Sequence, residues 1–341
     1  MNAGTLVRQT MFLSASHFIV RVIGFFNRIW LSRALGAQAM GLVELTHSAQ
    51  MLLITPVVSG LPAAVSRMCA KSQPERQARV LRCGISLALL TGVPVAALAF
   101  VFRTQLALWL GDLRTLPALL IYLPCIPVLG VSCALNGYYY GKGKPVPPAL
   151  SELLEQLVRL FLCIRLVFAL RGWPTMLRAA IPAAASLLGE TASLVLMLLI
   201  AARAILFEPG EGSRRAVYRE MLSLALPLTG MKLVSSLMRT VQSTLIPARL
   251  QVSGLPASEA LSRFGMLSGM LMPVLMLPSF ITCSLCMVAA PELTRRQANG
   301  TPQKALVRRI LGGTLLVGRG LGELRQPTSL PQPCLTAFER M

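Results

Sequence analysis

The chain is poor in charge. Asp, Glu, Lys and Arg together make up only 13% of its 341 residues, about half the share usual in a water-soluble domain. Acids are scarcer than bases, 13 Asp and Glu against 33 Lys and Arg. With 54% apolar residues and a mean hydropathy of +0.64, this excludes an ordinary soluble domain and points to a protein of many membrane spans. Histidine is nearly missing: His17 and His47 are the 2 positions. Of the 8 cysteines, only Cys283 and Cys286 form a C-x-x-C, inside the apolar run ITCSLCMVAA, and no second pair accompanies them. A zinc site therefore lacks ligands, and the cysteines read as small apolar side chains within helices. The GKGK stretch at 141–144 runs into Pro145, not Ser or Thr, so it is not a phosphate loop. The sequence offers no nucleophile–base pair and no metal cluster, so an enzyme is the least expected class. No cofactor and no metal are expected. The first apolar run is too long for a cleavable signal and has no small-residue cleavage site after it, so it reads as a retained span.

That first run, residues 10–35, is long enough to cross a bilayer, which takes ~20 residues. It carries Arg21 and Arg28, seven apart and so nearly above one another on one helix face, with Ser14, His17 and Gly24 on the same stripe. Each charge near the middle of a membrane helix costs about 2.5–3.5 kcal/mol on insertion scales. Two on one stripe fit a wet cavity or partner charges better than lipid. Alternatively, Arg28 reaches the headgroups and only Arg21 is buried.

Seven further spans follow, at about 41–65, 83–102, 116–140, 149–170, 180–202, 222–245 and 266–290. The second has polar residues Glu44, Ser48, Thr55 and Ser59 near one face, with Pro56 and Pro62 placed to kink it. Glu44 reads either as the partner of a buried arginine or as a solvated residue at the span's outer end. In the fifth, Glu155 and Arg159 are spaced for an i,i+4 pair. The sixth contains Glu190. The seventh repeats the opening device: Lys232 and Arg239 are again seven apart, with Ser236 and Ser243 on their stripe. Basic residues concentrate in alternate loops, the positive-inside pattern, which sets the N-terminus in the cytoplasm. The segments 67–82 and 203–219 read as charged loops.

The repetition of the paired cations divides the chain. The expected fold is all-α, a polytopic transmembrane helical bundle. Residues 1–205 form a six-helix N-terminal lobe, 206–218 a cytoplasmic linker, and 219–317 an incomplete second lobe in parallel orientation. Residues 318–341, rich in Pro and Gly, read as a disordered tail.

Several stretches point to a family. VRVIGFFNRIWLSRALG is followed by Gly41 and Leu45. Then come NGYYYGKGK, SELLEQLVR, IPARLQVSG, RFGMLSGMLMPVLMLP and AAPELT, in one order across about residues 6–309. Together they resemble the stage V sporulation protein B group of the multidrug, oligolipid and polysaccharide exporter superfamily. The resemblance implies a flippase of two six-helix lobes around a central cavity, whose cavity arginines hold a lipid-linked diphosphate. Arg21 matches one such arginine by motif. Arg28 is offset by one residue from the next, Glu44 matches an acidic position approximately, and the second-span arginine of the lipid II flippase relative has no counterpart. The second lobe stops short of the family's length.

The expected function is export of an undecaprenyl-linked saccharide, a peptidoglycan precursor or polysaccharide, in spore cortex or cell-wall biogenesis. Arg21, Arg28, Lys232 and Arg239 are the expected cavity cations. Arginine forks suit phosphate oxygens. Glu44, Glu155, Arg159 and Glu190 are expected to balance charge or couple an ion. Expected partners are the lipid-linked oligosaccharide, anionic lipids of the cell membrane and cell-wall synthesis proteins, with no nucleic acid. An ion-coupled multidrug exporter and an inactive truncated product are the alternatives.

Overall fold

The structure, a computed structural model, describes residues 3–206 and 213–275. Among them there is no β-strand. The helices are α1 (Ala3–Leu35), α2 (Ala37–Val58), α3 (Leu61–Lys71), α4 (Pro74–Val101), α5 (Arg103–Trp109), α6 (Leu116–Tyr122) and α7 (Cys125–Gly141). They continue with α8 (Val146–Ala169), α9 (Thr175–Arg178), α10 (Ile181–Leu206), α11 (Arg214–Val252), α12 (Ala257–Phe264) and α13 (Met272–Leu275). A π-helical turn, Gly265–Leu271, joins α12 to α13. Residue contacts divide the chain into two units, Ile19–Pro273 and Met1–Phe18 with Val274–Met341.

Four helical stretches among the described residues are long and apolar enough to cross a membrane: Ala37–Lys71, Glu75–Val101, Thr175–Ala202 and Arg214–Val252. A fifth qualifies if Leu113–Tyr122 and Cys125–Gly141, bent by 42°, count as one span. The helices α1 and α8 have the length, 33 and 24 residues, but each carries four charged side chains. Such helices are accommodated by turning their charges toward protein or a wet cavity. The eighth expected span lies mostly outside the described residues, as do 276–317 and the tail 318–341.

The second span breaks at Ser59 and Gly60, between α2 and α3, where Pro56 and Pro62 interrupt the backbone ladder. The segments expected to be charged loops are largely helical instead. Arg67 and Lys71 end α3, and Arg76, Arg79 and Arg82 belong to the first turns of α4, leaving only Ser72 and Gln73 between. Likewise Arg214, Arg215 and Arg219 begin α11, so the last residues of the 206–218 linker are helix. A helix can run on beyond the hydrocarbon, because water solvates its charged side chains while the backbone bonds persist.

Packing follows from small residues and close approach, which drive helix association where lipid removes most of the hydrophobic term. The largest cluster joins α3, α4, α7, α10 and the start of α11 through Val65, Met68, Leu81, Leu135, Met197 and Met221. A second joins α1, α2, α8 and α12 through Leu31, Leu42, Val167, Leu261 and Phe264. Gly36, at φ 81°, makes the turn from α1 into α2. At the crossing of α2 with the π turn, glycine is required for space. A Cβ on Gly265 would lie 2.1 Å from the Ala37 carbonyl oxygen and 2.5 Å from the Gly41 nitrogen. On the outer surface, Leu90, Val93, Leu98 and Val101 of α4, and Val234 and Met238 of α11, are exposed. Lipid is the solvent that such a surface suits.

Candidate functional site

Two of the expected cations meet in one place. Lys232 and Arg239, two turns apart on α11, line a cleft of about 570 Å³ whose opposite wall is Met51, Ile54, Thr55, Val58 and Ser59 of α2. Both cations are exposed in it. Between them Ser236 is only 8% exposed and also lines the cleft. Its hydroxyl has no partner among the described residues. Below the cleft, hydroxyls tie the two helices together. Thr240 Oγ1 donates to the Ser48 carbonyl oxygen at 3.0 Å, and Ser243 Oγ donates to Ser48 Oγ at 2.6 Å. The polar stripes read from α2 and α11 therefore face each other.

The α1 arginines part company. Arg28 Nη2 donates to Glu44 Oε1 and, at 3.2 Å, to the Ser268 carbonyl oxygen in the π turn. Glu44 is thus the partner of Arg28, not a solvated terminal residue. Their side chains are 36% and 13% exposed, so the pair sits half in protein. Nε of Arg28 keeps no partner among the described residues, which leaves donor capacity on the guanidinium. Arg21, two turns earlier, is exposed on the same side of α1. The helix itself is held to α8: Asn27 Nδ2 donates to Cys163 Sγ at 3.9 Å, and Gly24 faces Gln156.

A second charged group lies between α8 and α10. Arg159 Nη2 donates to Glu155 Oε1 one turn before it, the i,i+4 geometry read from the sequence. It also stands 3.7 Å from Glu190 Oε1. Glu190 is 8% exposed. Two carboxylates thus share one guanidinium, a cluster in which each charge needs the others.

One residue links these groups and was not singled out by the sequence reading. His47, on α2, lies within electrostatic reach of Arg28, Arg159 and Arg239. The signal was local: His47 follows Glu44 by three residues and precedes Met51 by four, so it shares their helix face. Among the described residues no group of three or more His, Cys, Asp or Glu is arranged to hold a metal ion.

The fold and the sequence have known relatives. Residues 6–297 match the family described as polysaccharide biosynthesis protein. Stage V sporulation protein B of Bacillus subtilis (strain 168) is 27% identical over 314 residues, which are 89% of this chain and 60% of that protein. The lipid II flippase MurJ of the same organism is 24% identical over 179 residues, 48% of this chain and 32% of that one. The chain thus spans less than two thirds of the length of stage V sporulation protein B. Among solved structures, the MATE multidrug transporter DinF-BH superposes with a TM-score of 0.62 at 17% identity, covering 92% of this chain and 69% of that chain. A MOP superfamily transporter from Pyrococcus furiosus, described by the reversed polarity of its binding pocket, superposes with a TM-score of 0.55 at 16% identity, covering 85% and 65%. The helical architecture is that of these transporter structures, a multi-pass membrane fold. A match that runs through nearly all of the described helices makes the chain a member of the polysaccharide biosynthesis protein family.

Proposed function

We propose that the chain moves an undecaprenyl-linked saccharide across the cell membrane, as part of cell-wall or spore-cortex biogenesis. The observation that carries this reading is the cleft between α2 and α11, where Lys232 and Arg239 stand exposed beside the unpartnered Ser236 hydroxyl. A diphosphate loses its hydration in the hydrocarbon layer, and cations and hydroxyl donors replace that water. The prenyl chain stays in lipid while the polar head passes through the cleft. Arg28 and Arg21 extend the positive surface from α1. Glu44 balances Arg28, and the Glu155–Arg159–Glu190 cluster balances charge or couples an ion. Residues 1–205 act as one lobe and those from 219 as the beginning of a second, which rocks against it with the N-terminus in the cytoplasm. The name of one relative, a lipid II flippase, supports the same substrate class, and that of another, a sporulation protein, supports the same setting. A multidrug exporter of cations calls for a cleft dominated by acids, whereas the α2–α11 cleft is lined by two bases and no acid.

The test is translocation of a fluorescent lipid-linked precursor in vesicles containing the purified chain. Arg239→Ala and Arg21→Ala are each expected to abolish translocation while the protein still inserts and folds. Wild-type rates in both variants would rule the reading out.

A further inference from the structure

Between the Arg28–Glu44 pair and the start of the cleft lies a side chain without a structural task. His47 is exposed although its neighbours Thr46 and Ser48 are buried. Among the described residues it makes no hydrogen bond. Its position is fixed by the contacts of α11. Thr240 donates to the Ser48 carbonyl oxygen at 3.0 Å, one residue beyond His47, and Arg239, one residue before Thr240, lies within electrostatic reach of the ring. On its own helix Glu44 lies one turn back, holding Arg28. Arg159 is the third guanidinium within reach. The acids of this region are engaged: Glu44 with Arg28, and Glu155 and Glu190 with Arg159.

A polar ring left without a protein partner, among cations whose acids are spoken for, is the environment of a ligand-binding group. Guanidinium forks satisfy an anion from their own planes, and a diphosphate offers more acceptor oxygens than two forks can reach. An imidazole N–H supplies a further donor at short range. We propose that His47 binds the anionic head group directly, its ring N–H donating to a phosphate oxygen held between Arg28 and Arg239. This rests on the cleft being the head-group site.

The experiment uses the full chain in lipid nanodiscs with inorganic pyrophosphate as the probe, titrated calorimetrically at low ionic strength. In parallel, the chain is labelled with nitrogen-15 in its histidine rings. With only 2 histidines in the sequence, His17→Gln assigns the His47 signals. Pyrophosphate is expected to shift the His47 ring signals. His47→Leu is expected to weaken binding about ten-fold or more, the usual loss for a hydrogen bond to a charged group. His47→Gln, which keeps an N–H donor, is expected to recover most of that loss, an outcome that a merely structural role would not produce. Unmoved ring signals, or His47→Leu binding within about two-fold of wild type, would overturn the proposal. If Arg239→Ala weakens binding while His47→Leu does not, the cleft reading stands and the role of His47 falls. If wild type fails to bind pyrophosphate, both fall.

Discussion

Replacing Arg159 with Met removes the only cation from a cluster of two carboxylates, and the consequence can be worked from the geometry. The side chains of Glu155 and Glu190 are 13% and 11% exposed, and that of Arg159 is 24% exposed, so water screens them weakly. At the 3.7 Å between Arg159 Nη2 and Glu190 Oε1, with an effective dielectric of ~20, the attraction is about 4.5 kcal/mol. The contact to Glu155 is closer still. Much of this gross attraction is cancelled in the intact protein by the cost of taking three charges out of water. Deleting the guanidinium alone leaves the two carboxyl groups unopposed, to stay charged or to take up protons, a loss of up to about 3–5 kcal/mol for a buried pair. Arg159→Met should therefore unfold far more readily than wild type. Reversible unfolding in mixed micelles, followed by the fluorescence of Trp30, Trp109 and Trp173, measures it. The triple variant Arg159→Met, Glu155→Gln, Glu190→Gln removes all three ionisable groups and should regain most of the stability. A single variant within about 1 kcal/mol of wild type, or a triple variant no better than the single, would refute the reasoning.

Three other outcomes follow from the same structure. Gly265→Ala places a methyl group against the backbone of α2, which cannot yield, and should cost about 1–3 kcal/mol in the same unfolding assay. Glu44→Gln should cost less, about 1 kcal/mol, because Arg28 is half-exposed and screened; adding Arg28→Gln should return most of it in a double-mutant cycle. Arg239→Ala should weaken pyrophosphate binding about 10- to 100-fold in calorimetry, and raising the salt from 0.05 M to 0.5 M should narrow the gap between variant and wild type.

Local spacing carried much of this into the sequence. The i,i+4 pairing of Glu155 with Arg159 needs one helix and nothing else, and the structure has it. The α2–α3 break falls between Pro56 and Pro62, where the sequence placed a kink, whereas Pro94, Pro227 and Pro247 lie inside continuous helices. What was illegible depends on other helices. Arg28 finds Ser268 across 240 residues, and Thr240 finds Ser48 across 192; no window along the chain contains both partners. His47 looked like an isolated residue lacking companions for a metal. Its neighbours Arg159 and Arg239 are distant in sequence and appear only when α8 and α11 are set beside α2. Helix ends were misjudged for a simpler reason. Hydropathy marks where the lipid stops, whereas the backbone ladder stops only where something breaks it, so Arg67–Arg82 read as loop although most of it is helix.

The length of α11 has a mechanical corollary. Its 39 residues extend about 58 Å, nearly twice a hydrocarbon layer of about 30 Å. One end therefore stands well clear of the bilayer, and that end holds Arg214, Arg215 and Arg219. Arg76 of α4 grips this overhang through Glu220 at 2.9 Å. Val217 and Met221 anchor the same end in the largest apolar cluster, so a tilt of α11 about it would carry Lys232 and Arg239 through the longer arc.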